Sequence, residues 1–287
     1  LEVMEAMEQM AQRLEIVSAE RIRSELERLL LSPYPRRGLE LLVHTGICDI
    51  VLPEVSALQD TVDEHRRHKD VYEHTLTVLQ QAMDLETGPD GDVPGPDLRL
   101  RLAALLHDIG KPATRRFMPD GTVTFHAHDY VGARMTAKRM RALHFDKQTI
   151  KDVSRLVELH LRFHGYADSP WSDSAVRRYV TDAGPLLARL GCLTRADVTT
   201  GNRRKAAMLS HAYDDLERRI EALRQQEELA SIRPELDGQE IMAELDIKPG
   251  PEVGKAYKFL LDLRMERGPI GKELAREALH SWWATQQ

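Results

Sequence analysis

The chemistry this chain could perform is concentrated in Leu98 to Lys111, which reads Leu-Arg-Leu-Arg-Leu-Ala-Ala-Leu-Leu-His-Asp-Ile-Gly-Lys. Leu98, Leu102, Leu105, Leu106 and Ile109 recur at helical spacing, so the pattern predicts a core helix that ends in His107-Asp108 with Gly110 behind it. Burying an imidazole and a carboxylate side by side is costly unless both find a partner, and a divalent cation satisfies the two at once. The doublet is therefore a candidate metal site. Its remaining ligands must come from other parts of the chain.

Four further residues qualify by type and setting. His74 lies on a helix running to about Met83, with Thr75, Val78 and Ala82 as small or apolar neighbours. Taken alone it reads as a satisfied core histidine. His65 and His68 stand among Arg66, Arg67, Lys69 and Asp70 and read as exposed. The helix from about Asp146 carries Ile150, Val153, Val157, His160 and His164 on one stripe. Two histidines four apart on an apolar face could both ligate, and His160 is the better candidate because His164 adjoins Gly165 at the helix end. His128, delivered by Phe125-His126-Ala127-His128 to the start of a helix with Val131, Met135, Met140 and Leu143, can reach into a site; His126 is the weaker candidate. Finally Leu186, Leu190 and Leu193 lead in register to Asp197, a carboxylate that must face the core and needs a cation or donors there.

The elements that must position these residues are helical. Only 5% of the 287 residues are aromatic, Leu, Ala, Glu and Arg dominate, and alternating β-branched runs are absent, so an all-α fold of several helical modules is expected. Val3, Met7, Met10 and Leu14 predict a first amphipathic helix. Ser18 is the expected cap of a second, with Ile22, Leu26 and Leu29 inward. Ser32-Pro33-Tyr34-Pro35 ends it, and Arg36 to Thr45 predicts a third that closes at Gly46. Glu86 to Pro96 reads as a loop, after which Asp97 caps the His-Asp helix. Ala113 to Phe125, with Pro119-Asp120-Gly121 as its turn, is the one place for a short β-hairpin. Leu209, Tyr213, Leu216, Ile220 and Leu223 predict a long helix from Arg203 to about Ala230 with a coiled-coil-like seam packing within the body. Asp237 starts a short helix, and Gly250-Pro251-Glu252-Val253-Gly254 reads as a turn into Lys255 to Arg267.

Composition limits the functional classes. The net charge of -6 argues against nucleic-acid binding over the whole surface. Basic residues come instead in small clusters, among them Arg203-Arg204-Lys205. The two cysteines, Cys48 and Cys192, lack a Cys-x-x-Cys partner, which disfavours a disulfide framework or a thiolate zinc site and fits a reducing cytoplasm. No apolar run approaches the roughly 18 residues of a membrane span.

His74, the His107-Asp108 doublet and distant Asp197 match the ordered pattern of the HD-domain metal-dependent phosphohydrolases, which this chain resembles. His128 and His160 look like the additional histidines of members with a second metal or phosphate site. The flanks narrow the resemblance. Ser18-Ala19-Glu20-Arg21-Ile22-Arg23-Ser24-Glu25-Leu26, Thr45-Gly46, Leu52-Pro53-Glu54 and Lys248-Pro249-Gly250-Pro251-Glu252-Val253-Gly254-Lys255 are similar to the neck, body and tail of bacterial class II CCA-adding tRNA nucleotidyltransferases and poly(A) polymerases that carry an inserted HD domain. The resemblance implies an elongated helical body with a neck in residues 1–60, an HD-type metal domain in 61–200, and a long helix with an RNA-binding tail in 201–287. Those enzymes also have an N-terminal head with a Gly-Ser motif and paired Asp-x-Asp carboxylates. No such motif occurs here, so the chain is expected to begin after the head and not to add CCA alone.

The resemblance implies His74, His107, Asp108 and Asp197 as ligands of one divalent metal. Mixed nitrogen and oxygen donors suit Mn, Ni, Fe, Co or Zn better than Mg. His128 and His160 would complete a second site or serve in proton transfer, and Lys111 would neutralise a phosphoryl oxygen or act on the helix dipole. The expected reaction is hydrolysis of a phosphomonoester or 2′,3′-cyclic phosphodiester in a small nucleotide phosphate. The expected partner is tRNA or another structured RNA, with Arg203, Arg204, Lys205, Lys255 and Lys258 as candidate phosphate contacts. The alternative is a non-hydrolytic RNA-binding body whose metal is structural or vestigial.

Overall fold

The computed structural model describes residues 2–59, 61, 71–169, 171–227 and 232–286. The chain is all-α, and the described residues hold a single sheet of two antiparallel strands. His65 and His68 lie outside the described residues. Two compact units are formed, one from Leu1–His164 with Pro185–Ser210, the other from Gly165–Gly184 with His211–Gln287.

The first unit opens with α1 (Glu2–Met10), in which no residue is buried. The helix tightens into a 3-10 turn over Ala11–Ile16, so Leu14 does not extend the stripe expected from Val3, Met7 and Met10. Ser18 stands at the N-cap of α2 (Ala19–Leu31) with extended backbone, yet its side chain makes no capping bond; Leu26 and Leu30 are the buried residues of this helix. Pro35 starts α3 (Pro35–His44), where its missing N–H costs nothing. The short α4 (Ile47–Val51) and α5 (Pro53–Ser56) follow.

Four helices then build the core that holds the site. In α6 (Val71–Asp84) the buried face is Val71, Tyr72, Thr75, Leu76, Val78, Leu79 and Ala82. The next helix, α7 (Leu98–Leu106), is buried on all sides from Leu100 to Leu106, not on one stripe as its spacing predicts. A helix surrounded by others has no solvent face to spare. Its buried charge, Arg101, donates to Glu86 at 2.6 and 2.7 Å and to the carbonyls of Leu30 and Ser32 at 2.7 and 2.9 Å. Those bonds occupy the guanidinium and close the end of α2 together. Asp97 caps α7 by accepting from Leu100 N at 2.8 Å, as expected, and also receives Arg189 at 2.7 Å.

After α8 (Lys111–Thr114) comes the hairpin of β1 (Arg116–Phe117) and β2 (Val123–Thr124), paired Arg116 to Thr124 and Phe117 to Val123. Asp120 closes its turn by accepting from Thr122 N at 2.9 Å. The chain continues through α9 (His128–Ala142) and α10 (Lys147–Leu159), the latter capped by Asp146, which accepts from Gln148 and Thr149 N. Beyond α11 (His164–Asp168) and α12 (Asp173–Ala183), α13 (Leu187–Ala196) joins α6 and α10 around α7.

In the second unit, the part of α14 (Arg203–Glu227) from His211 onward buries Tyr213, Leu216, Ile220 and Leu223, the predicted seam. Asp237 and Glu240 form a reciprocal capping box on α15 (Gly238–Leu245). The helix α16 (Pro251–Arg267) starts at Pro251, so Gly254 lies inside its first turn and the expected turn before Lys255 is absent. With α17 (Lys272–Ala284) it encloses a core of Leu236, Ile241, Ala256, Leu260, Ala275 and Leu279. The buried Arg177 of α12 donates to the carbonyl of Met265 at 2.9 Å. Among the described residues no helix is long and apolar enough to cross a membrane.

Candidate metal centre

The six candidate ligands meet at one end of the α7 core. His74 projects from the second turn of α6, while His107-Asp108 follows α7, His128 begins α9, His160 follows α10 and Asp197 follows α13. His107, Asp108 and His160 are 0, 1 and 1% exposed, and His128 is buried with them. Helix ends suit this placement because their free carbonyls can hold the imidazoles. His107 Nδ1 lies 2.8 Å from Ala104 O, His128 Nδ1 2.8 Å from Phe125 O, and His160 Nδ1 2.6 Å from Val157 O. A carbonyl only accepts, so each Nδ1 carries a proton and each Nε2 is aimed inward. This is the arrangement by which proteins orient imidazole ligands.

Two groups form around Asp108. On one side His74 Nε2 lies 3.2 Å from His107 Nε2, 3.0 Å from Asp197 Oδ1 and 3.4 Å from Asp108 Oδ2. His107 Nε2 is 3.2 Å from Asp108 Oδ2 and 3.6 Å from Asp197 Oδ1. On the other side Asp108 Oδ1 stands 3.2 Å from His128 Nε2, and the His128 and His160 rings are 5.4 Å apart. In the trio of His74, His107 and Asp108 and in that of Asp108, His128 and His160, the donor atoms lie within 4.8 Å of one another. Asp108 therefore serves both groups, one oxygen to each.

The electrostatics match a cation site. Burial alone pushes the His107 imidazole down, but the Asp108 and Asp197 carboxylates override it and raise it to about 10. Burial works against both carboxylates; His107 and Lys111 nevertheless hold Asp108, and His107 and His74 hold Asp197, well below the usual range. A proton on His107 balances this cluster, and a bound cation would supply the same positive charge. His160 is lowered to about 4 by burial and by the charge of His107. His128 Nε2 and His160 Nε2 are buried without a hydrogen-bond partner. Orphaned lone pairs facing a carboxylate, with nitrogen and oxygen donors mixed, fit a divalent metal.

The remaining expected residues separate here. Lys111 Nζ sits 2.8 Å from Asp108 Oδ2 and 5.6 Å from the centre of the Phe125 ring, so its ammonium is part of the cluster. His164 is 57% exposed and reaches only to 4.0 Å from Asp197 Oδ2, and His126 is exposed. Arg203, Arg204 and Lys205 are exposed in the first turn of α14, whose Arg204 and Lys205 amides donate to Asn202 Oδ1. Lys258 is exposed, and Lys255 pairs with Glu252 at 2.8 Å.

Two supporting features escaped the sequence reading. Thr199 Oγ1 lies 3.0 Å from His74 Nδ1 and fixes that ring. Gly110 and Gly132 let α9 dock against the turn after Asp108, since a Cβ at Gly110 would stand 2.1 Å from His128 O and 2.7 Å from Gly132 N. A glycine inside a helix, four residues after His128, was the available signal.

Residues 71–202, which carry this helical core and its cluster, match the HD domain family, and residues 1–58 match the family described as probable RNA and SrmB-binding site of polymerase A. Over almost its full length the chain is similar to part of bacterial tRNA nucleotidyltransferases. It is 37% identical to the CC-adding tRNA nucleotidyltransferase of Thermus thermophilus over 267 residues, which is 92% of this chain and 56% of that protein. The A-adding tRNA nucleotidyltransferase of Deinococcus radiodurans is 35% identical over 279 residues, 96% of this chain and 61% of that protein. The multifunctional CCA protein of Pasteurella multocida is 31% identical over 172 residues, 57% of this chain and 38% of that protein. The chain thus spans between 56 and 61% of the length of the first two relatives.

Proposed function

We propose that this chain is the RNA-binding and HD-containing part of a longer, cytoplasmic protein of the tRNA nucleotidyltransferase type, and that its HD site hydrolyses a nucleotide phosphoester with divalent metal. The substrate bond would be a phosphomonoester or a 2′,3′-cyclic phosphodiester. The observation that carries the reading is the convergence on Asp108, whose two oxygens face His107 and His128 at 3.2 Å each. His74, His107, Asp108 and Asp197 would hold one cation, and Asp108, His128 and His160 a second. When bound, such a cation lowers the pKa of water and offsets charge on a phosphoryl group.

The chain's own residues prepare that chemistry. The carbonyls of Ala104, Phe125 and Val157 hold the three imidazoles with Nε2 inward, so no reorientation is required on binding. Lys111 offsets part of the Asp108 charge at the rim, where a phosphoryl oxygen would approach. With Nδ1 committed as donor, a neutral His160 presents a lone pair at Nε2, which suits it to hold a cation or accept a proton rather than to deliver one. A second reading, an RNA-binding body with a structural metal, is favoured by the match of residues 1–58 and by the tRNA-modifying names of the relatives. In either reading Arg203, Arg204, Lys205, Lys255 and Lys258 are candidate contacts for tRNA phosphates.

The test assays the chain with manganese, nickel or magnesium against cyclic and linear nucleotide phosphates, beside His107→Ala and Asp197→Ala. Metal-dependent turnover lost in both variants is expected; equal background rates in all three proteins would remove the hydrolase reading. For RNA, tRNA affinity should fall steeply with salt because phosphate contacts release counterions, and a flat response would count against it.

A further inference from the structure

The hairpin of β1 and β2 leaves Phe117 73% exposed in a strand of two residues, where it contributes nothing to a core. Singly exposed apolar residues are ordinary, so exposure alone decides nothing. What distinguishes this one is its company. The Arg115 guanidinium lies 5.5 Å from the centre of the Phe117 ring, and Arg116 follows it on the strand. Lys111 to Met118 contains three basic residues and no acidic one, while Asp120 at the tip accepts from the backbone and hydroxyl of Thr122.

The hairpin is also tied to the metal centre at both of its ends. Its first strand follows the short α8, which begins at Lys111, 2.8 Å from Asp108 Oδ2. Its second strand runs into the buried Phe125, whose ring lies under Lys111 Nζ and whose carbonyl accepts from His128 Nδ1. Between Phe125 and His128 the backbone of Ala127 takes φ +60°, a left-handed conformation that a residue with a β-carbon rarely adopts. That conformation turns the hairpin's return strand directly into the helix that starts with a candidate ligand. An aromatic face with a guanidinium over it, and a second guanidinium next to it on the strand, thus lie on the segment that joins Lys111 to His128.

We propose that this hairpin is the site's base-recognition lip: Phe117 and Arg115 receive a nucleobase by stacking, and Arg116 receives a flanking phosphate, selecting nucleotides over base-free phosphoesters. The inference rests on the phosphoester reading above for the identity of the reacting group. Stacking on an aromatic side chain tolerates any base, so selection among bases is expected to be weak. The ligand is either a free nucleotide or the 3′ end of an RNA, which present the same base and phosphate.

The test measures binding by titration calorimetry on the full chain with manganese, using adenosine 2′,3′-cyclic phosphate, a short RNA ending in a 2′,3′-cyclic phosphate, and inorganic phosphate. Phe117→Ala should weaken nucleotide binding about tenfold and leave inorganic phosphate unchanged, with Phe117→Trp restoring it. Arg115→Gln with Arg116→Gln should weaken the nucleotide and flatten its salt dependence. A defect seen with the RNA and not with the mononucleotide assigns the lip to an RNA end; a defect with both assigns it to nucleotides generally. Unchanged nucleotide affinity in Phe117→Ala, an equal loss for inorganic phosphate, or no nucleotide binding by the unaltered chain would each overturn the proposal. If nucleotides bind through the hairpin but no phosphoester turns over, the lip stands and the hydrolase reading falls.

Discussion

Gly110→Ala separates the two halves of the metal centre. Gly110 has φ -77° and ψ -18°, a conformation alanine adopts freely. By backbone entropy alone the change would stabilise the fold by about 0.4–1 kcal/mol. The added methyl, however, would stand 2.1 Å from His128 O and 2.7 Å from Gly132 N, both backbone atoms that no rotamer can withdraw. Ordinary carbon contacts begin near 3.5 Å, so the start of α9 must retreat by more than about 1 Å. Overpacking of that kind costs about 1–3 kcal/mol, which outweighs the entropic gain. Metal ligands tolerate errors of only about 0.2 Å, so His128 should leave the group it shares with Asp108 and His160, while His74, His107 and Asp197 stay in place. Metal analysis of the purified variant should find the occupancy attributable to the second group lost and that of the first kept. Thermal unfolding should fall by roughly 2–4 °C per kcal/mol. Gly191→Ala, in α13 with nothing near its added methyl, is the control and should be neutral or stabilising. Unchanged metal content together with an unchanged melting temperature in Gly110→Ala would refute the reasoning.

Three further outcomes are expected. Chelation should lower the melting temperature and metal should restore it, because a ligand present at 100 times its Kd adds about 2.7 kcal/mol to the folded state; no response to either would argue against a metal centre. In chelator-treated protein, stability should fall as the pH drops from 6.5 towards 4, because the unfolded His160 takes up a proton that the folded one, lowered to about 4, refuses. His107, raised to about 10, contributes fully below 6.5 and is level in that window, and the depressed Asp108 and Asp197 keep their contribution above the ordinary Asp pKa, so denaturant melts in the upper part of the window, above the range in which the lowered Glu20 and Glu240 lose theirs, report the His160 effect. Arg101→Met should destabilise by about 3–5 kcal/mol, since it strands Glu86, whose side chain is 8% exposed, beside carbonyls that have lost their donor; a chemical melt within 1 kcal/mol of the parent, roughly the scale of an exposed pair, would contradict that.

Much of the architecture was legible because helical periodicity is a local property. The Asp97 cap, the helix start near Asp146, the hairpin turn at Asp120-Gly121 and the seam of α14 all follow from residues within a few positions of one another, whereas Pro35, read as the end of a turn, is the first residue of α3. The errors were local too. A four-three spacing in Val3 to Leu14 could not reveal that the helix tightens after Met10, and Pro251 was read as part of a turn where it is the first residue of a helix.

The sequence by itself brought forward the candidates for a metal centre, because His74, His107, Asp108, His128, His160 and Asp197 combine ligand atoms with positions on or beside apolar helical stripes. Tertiary structure alone decided how they are shared. It turned the two oxygens of Asp108 to different histidine groups, held His74 with Thr199, drew Lys111 onto Asp108 and left His164 outside. Those outcomes depend on how closely four helix ends approach, and that distance is set by a methyl group absent at Gly110, which no pattern along the chain encodes.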